Sequence, residues 1–225
     1  MNIIITGAGK GIGFEIVTEL CKNSNHKIVC ISRNIEALIG LSANVIPIAF
    51  DLEKLPNLNF YDEVASTLDN KVDILINNAG LLINKPYHEY SLDDFNNMMA
   101  VNIRAPHLLI QSLLPYFAAP SHIVNISSMG GFAGSAKFSG LALYSTFKGA
   151  LCTLSECLAE ELKPRQISVN ALCLGAVQTE MLSKSFPGYI APTSAKKMAK
   201  YIADFALNGN QFFNGKVIPV ASTTP

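Results

Sequence analysis

The chain has 225 residues, enough for one α/β domain or two very small ones, and 49% of them are apolar, enough to bury a sizeable core. Its 17 basic residues balance 17 acidic ones with no basic block, which argues against nucleic acid as the main partner. No apolar run is long enough to span a bilayer, and the four histidines lack metal-ligand spacing, so neither a membrane span nor a metal site is expected.

Asn2-Ile3-Ile4-Ile5 is a short continuous apolar run, as expected of a strand buried on both faces. Because a strand begins almost at once, no signal peptide is expected. The strand runs into Thr6-Gly7-Ala8-Gly9-Lys10-Gly11-Ile12-Gly13, and a helix with Ile16, Val17 and Leu20 on one face follows. Strand, glycine turn and helix in this order make a phosphate cradle: the backbone comes close to the phosphates, and the helix start offers free N–H groups. A P-loop is excluded, because Gly11 rather than Ser or Thr follows Lys10. The spacing that fits is T-G-x-x-x-G-x-G.

Lys27 to Ile31 reads as the second strand, ending in Ser32-Arg33-Asn34. An acid here would receive the ribose hydroxyls of NAD, whereas an arginine suits the 2′-phosphate of NADP. Arg33, with Lys10 as a second positive charge, therefore points to NADP(H), with NAD(H) the lesser possibility. Asn34 is expected to cap a helix holding Glu36. Val45 to Phe50 is the third strand, ending at Asp51-Leu52, and a helix is expected from about Tyr61 to Leu68. Val72 to Ile76 is the fourth strand, and Asn77-Asn78-Ala79-Gly80 lies at its C-terminal end, where open α/β sheets bind ligands. Ser91 starts a long helix in which Asn102 sits among apolar neighbours, and Pro106 should bend it just beyond.

His122 to Ile126 is the fifth strand, closing with Ser127-Ser128, and a loop of glycine and small residues runs on to Gly140. The next helix carries Tyr144 and Lys148, with Phe147, Leu151, Leu154, Leu158 and Leu162 at helical spacing. Positions four apart share a face, so the phenol and the ammonium project side by side. A cation there should move the phenol's pKa down from about 10, poising it to give or take a proton. Ile167 to Leu172 is the sixth strand; Gly175 to Pro192 lacks periodicity and reads as a mobile lid. A helix over about Thr193 to Leu207 and a strand over Lys216 to Val220 complete the pattern. The expected fold is a single-domain, Rossmann-type, doubly wound α/β structure of about seven parallel strands with helices on both faces. Cys21, Cys30, Cys152, Cys157 and Cys173 are odd in number and form no C-x-x-C, and read as reduced core residues of a cytoplasmic protein.

Together these motifs resemble the short-chain dehydrogenase/reductase family over essentially the whole chain. The resemblance rests on the glycine turn, Asp51-Leu52, Asn77 to Gly80, Val101-Asn102, Ile126-Ser127-Ser128, Tyr144 with Lys148, and Asn170 to Met181. It implies that Tyr144 is the general acid or base, that Lys148 lowers its pKa and holds the nicotinamide ribose, and that Ser128 bonds the substrate oxygen. It implies that Asn102 holds a helix kink and a proton-relay water. Cofactor contacts are implied for Gly7, Lys10, Gly11, Ile12, Gly13, Ser32, Arg33, Asp51, Leu52, Asn78, Ala79, Gly80, Tyr144 and Lys148, and for Val177 and Thr179 at the nicotinamide amide. The chain departs from the family pattern in a longer Ser128–Tyr144 segment, Phe147 in place of a small residue, Leu174 in place of a proline before Gly175, and a C-terminus without the usual glycine pair, with a short lid.

The expected function is NADP(H)-dependent hydride transfer to or from a small carbonyl or alcohol, by a homodimer or homotetramer paired through the long helices. A catalytically weak dinucleotide-binding sensor or scaffold of the same fold is the alternative, but a sensor has no need of Asn102, Ser128, Tyr144 and Lys148 together. A nucleotide-sugar epimerase would need a larger substrate domain.

Overall fold

A computed structural model describes residues 1–221, without the side chain of Leu58. In chain order the elements are β1 (Asn2–Thr6), α1 (Gly11–Leu20), β2 (Lys27–Ser32), β3 (Val45–Ala49), α2 (Leu58–Thr67), β4 (Val72–Asn77), α3 (Leu92–Met99), α4 (Ala105–Leu113), β5 (Phe117–Ser128), α5 (Ala142–Glu161), β6 (Ile167–Leu174), β7 (Val177–Gln178), α6 (Glu180–Ser185), β8 (Thr193–Ser194), α7 (Ala195–Asn208) and β9 (Val217–Val220).

Seven strands form one sheet in the order β3-β2-β1-β4-β5-β6-β9, and every pairing is parallel. Ile3, Ile4 and Ile5 are all fully buried, yet they divide between two cores. Ile3 and Ile5 face α1 and α7 (Ile16, Leu20, Met198, Ile202). Ile4 faces the other layer, with Val64, Leu109 and Leu162 of α2, α4 and the end of α5. A strand covered on both faces has no use for a polar alternation, which is why its sequence reads as one apolar run. Each such side chain removed from water contributes about 1.5–3 kcal/mol.

The chain winds outward from β1 to β3, then returns to place β4 on the other side of β1. The crevice at the C-terminal ends of β1 and β4 is thus the topological switch point, where doubly wound sheets take their ligands.

The structure differs from the expected elements in several places. The third strand stops at Ala49 and α2 begins three residues before Tyr61. Asn34 supports only a short 3₁₀ turn, Glu36–Leu38, its Oδ1 accepting from the Glu36 N–H at 2.9 Å. The long helix is interrupted by a π-helical turn, Ala100–Arg104, between α3 and α4. The fifth strand begins at Phe117, because Ser121 onward pairs with β6 and Phe117 pairs with Val72. The segment read as a mobile lid has structure: β7 and β8 form a small ladder at its base, and α6 lies between them. All five thiols are free, but Cys157 lies exposed on α5 and Cys21 is only half-buried, so the core reading holds for Cys30, Cys152 and Cys173.

Candidate active site

The glycine turn is held by contacts from both neighbouring strands. Thr6 Oγ1 accepts from the N–H groups of Asn78 (3.1 Å) and Ala79 (3.0 Å), stapling the end of β1 to the end of β4. The Asn78 side-chain amide donates to Thr6 O at 3.0 Å. Gly13 must lack a side chain, because a Cβ there would stand 2.2 Å from Gly7 O and 2.6 Å from Asn78 Nδ2. Gly7 itself has φ +67, a left-handed conformation that costs glycine little. At the start of α1 no side chain caps the helix. Its first N–H groups, at the positive end of the dipole, therefore face the crevice without a side-chain partner.

A cleft of about 1100 Å³ runs from this turn across the sheet. It is lined at one end by Gly7, Lys10, Gly11, Ile12 and Gly13, with Ser32, Arg33, Asp51 and Leu52 beside them. Asn78, Ala79 and Gly80 follow, then Ser128, Tyr144 and Lys148, with Val177 and Thr179 on the lid side. Of the residues singled out in the sequence, Asn102 alone is not in the wall. It lies fully buried beneath the loop after β4, where its Oδ1 accepts from Leu81 N–H (3.1 Å) and its Nδ2 donates to Leu81 O (2.8 Å) and Met98 O (2.9 Å). Pro106 explains why it sits on an irregular turn. Proline has no N–H for the carbonyl four residues back, and its ring crowds that carbonyl. The helix widens instead, and Ala105 N–H bonds Ala100 O.

Tyr144 and Lys148 share one face of α5, with Lys148 Nζ 5.9 Å from the centre of the Tyr144 ring. Lys148 is 3% exposed, and its ammonium donates to Ile126 O at 2.8 Å. Burial draws its pKa down to about 8. The phenol moves the opposite way to the sequence expectation. Burial pushes Tyr144 up to about 12, and the Ser128 hydroxyl beside it only partly offsets this. The cation is turned toward the Ile126 carbonyl rather than the phenol oxygen, so desolvation outweighs its field.

Behind this group lies a buried polar contact set that the motifs did not reveal. Ser127 Oγ donates to Lys148 O at 2.8 Å, fixing the backbone of α5 at the lysine. Cys152, one turn further on, places Sγ 3.2 Å from Ser127 Oγ and 3.5 Å from Cys173 Sγ. Phe147 packs edge-on against Phe95 of α3, with ring centres 5.1 Å apart.

The lid is tied at both ends of α6. Glu180 pairs with Lys10 at 3.0 Å, and Asn84 Nδ2 donates to Ser185 O at 2.8 Å. Lys10 is therefore engaged across the cleft by a carboxylate. Thr179 Oγ1 accepts from Leu182 N–H at 3.2 Å, so its hydroxyl caps α6. Asn84 and Glu180 carry no local signal in the sequence, because their partners come from segments 101 and 170 residues away. Among the described residues no group of three or more His, Cys, Asp or Glu could hold a metal ion, and no helix is long and apolar enough to cross a membrane.

Comparison with known proteins places this geometry in context. The family model described as short chain dehydrogenase matches residues 1–189. The 3-oxoacyl-(acyl-carrier-protein) reductase FabG of Aquifex aeolicus is 31% identical over 189 residues, 79% of this chain and 74% of that protein. An uncharacterized oxidoreductase of Bacillus subtilis, YxjF, is 31% identical over 188 residues, 80% of this chain and 72% of its own. Among solved structures, a short chain dehydrogenase from Burkholderia cenocepacia in complex with NADP superposes with a TM-score of 0.86 at 24% identity, over 99% of this chain and 96% of that one. A 3-ketoacyl-(acyl-carrier-protein) reductase from Brucella melitensis complexed with NADH gives 0.86 at 24% identity, over 97% and 96%. At that identity the structural likeness speaks for the fold.

Proposed function

The chain belongs to the short-chain dehydrogenase family, and from that premise we propose that it transfers hydride between NADP(H) and a carbonyl or alcohol, with Tyr144 as the acid or base. The observation that carries this reading is the convergence of Tyr144, Lys148 and Ser128 at one end of a cleft whose other end is the glycine turn.

The residues present suit a dinucleotide. A small-ligand pocket measures about 300–1000 Å³, and this cleft, at about 1100 Å³, has room for a dinucleotide and part of a second molecule. The helix start without a side-chain cap suits a pyrophosphate. Arg33 is exposed at the rim, and among the described residues no carboxylate lies within ion-pair distance of it, leaving its guanidinium free for the 2′-phosphate. Asp51 and Leu52 would bound the adenine, and Gly80, Val177 and Thr179 the nicotinamide end. A bound nicotinamide dinucleotide supplies the hydride.

The chain's own residues then manage one proton and one developing charge. Negative charge builds on the substrate oxygen as hydride arrives at its carbon. Ser128 stabilises that oxygen by a hydrogen bond, and Tyr144 gives it a proton. A phenol kept at about 12 remains protonated throughout the working range, which is the form that reduction requires. Lys148 holds the ribose and stands ready to stabilise the phenolate left behind. Asn102 keeps the loop at Leu81 seated. The protein is read as a cytoplasmic dimer or tetramer acting on a small molecule.

Tyr144→Phe tests the assignment, since it keeps the ring and its packing but removes the proton. NADPH affinity should change little, while turnover should fall by about 10²–10⁴-fold. Near-native turnover in this variant would refute the role of Tyr144.

A further inference from the structure

We propose that the substrate is an uncharged, hydrophobic carbonyl compound recognised through a single polar group, the carbonyl itself; this rests on the oxidoreductase reading above. Five of the seven charged side chains that line the cleft belong to its cofactor end. Lys10, Arg33, Glu36, Asp51 and Glu53 all lie there. From Leu81 onward the described lining carries two charged side chains, Lys148 and Glu180. Lys148 is buried against Ile126 O, and Glu180 is paired with Lys10. Three lysines on the segments that bear this lining, Lys85, Lys137 and Lys184, are not part of it. Lys85 holds Asp94 at 2.6 Å, Lys137 donates to Phe132 O at 2.7 Å, and Lys184 lies exposed on α6. A substrate carboxylate or phosphate would thus lose its hydration and meet no cation that is not already engaged, a costly exchange.

The remaining wall is apolar and unusually open. Phe138, Met181 and Tyr189 are 42%, 37% and 49% exposed and line the cleft, as do the buried Met129 and Leu141. Large apolar side chains left exposed around one concave site mark a surface awaiting an apolar ligand. The wall is also held in place. Tyr90 Oη bonds Gly140 O at 2.7 Å and Lys85 N–H bonds Gly140 O at 3.2 Å, tying the loop that bears Phe138 to the loop after β4. Asn84 ties that second loop to the lid. Beyond Ser128 and Tyr144, the hydroxyl groups are few, so a polyhydroxylated substrate would leave its own groups unpaired.

The test uses a matched pair, ethyl benzoylformate and benzoylformate, which share ring and ketone and differ in charge. With NADPH, kcat/KM for the ester should exceed that for the anion by about a hundredfold. Equilibrium binding of each by calorimetry, with oxidised NADP present, which has no hydride to give, and with no dinucleotide, supplies a second readout that needs no turnover. Tighter binding of the ester supports the inference. Tighter binding of the anion, or binding of neither, overturns it. Phe138→Lys adds a cation at the rim and should narrow the ester-to-anion ratio by about tenfold; an unchanged ratio counts against Phe138 facing the substrate. If NADPH fails to bind at all, the cofactor reading falls, and the binding preference between ester and anion still decides the substrate class.

Discussion

Arg33 and Lys148 carry the charge chemistry that a single substitution can read. A hydrogen bond to a charged group contributes about 1.5–3 kcal/mol, roughly tenfold to a hundredfold in affinity. Arg33→Ala should therefore weaken NADPH by that factor and NADH far less, as measured by titration of both. Lys10→Ala should have a smaller effect, because Glu180 already engages the ammonium. Lys148 is held at about 8 by burial, so its charge is lost as pH rises through that value. Dinucleotide affinity should then decline above about pH 8 in the native protein and show no such step in Lys148→Met. The spacing of Tyr144 and Lys148 told which two groups meet. It could not tell the sign of the phenol's shift, which is decided by how much water the fold removes and where the ammonium turns.

At the scale of elements, periodic strands and helices were legible because both sheet faces are covered and each element is long enough to show its pattern. The lid was not, since six residues of α6 make fewer than two turns. The early start of β5 was hidden for another reason: Ala118, Ala119 and Pro120 have no strand pattern, and they lie in a break of register between Phe117, paired with Val72, and His122, paired with Ile74. The ties on α6 make a test of the lid. Asn84→Ala frees the Ser185 end, and amide hydrogen exchange over residues 180–189 should rise severalfold with the sheet unchanged. Asn102→Ala is the harsher change. It orphans Leu81 N–H, Leu81 O and Met98 O, with a cost of about 1–3 kcal/mol for each buried group left unpaired. Urea unfolding should show a loss in this range or above.

For the whole molecule, pH and association are the relevant variables. His122 is 1% exposed, with Nδ1 donating to Ala206 O (3.0 Å) and Nε2 accepting from Asn170 (3.0 Å), an arrangement that fits only the neutral ring. Burial lowers its pKa from 6.5 to about 4. The unfolded chain binds this proton more readily, so stability is complete above about pH 6.5 and declines as pH falls toward 4, by roughly 3 kcal/mol. His26, also lowered by burial, adds to the same trend. Urea midpoints from pH 7 to pH 4 would check it. Thr146, Ala150 and Thr153 form an exposed strip of small residues along α5, which favours close pairing of two copies. Light scattering should give a multiple of 24.3 kDa, and Ala150→Arg should reduce it to the single-chain mass.

The staple between Thr6 and the end of β4 also says something about time. The partners are 72 and 73 residues apart, so the phosphate turn cannot be fixed by the first strand and helix alone. Closing a loop of that size costs about 4 kcal/mol in chain entropy before any contact repays it. The binding turn is therefore a late product of folding, although it is made of some of the earliest residues in the chain. During refolding, helical signal should recover first, and dinucleotide binding should return only when β4 has docked beside β1.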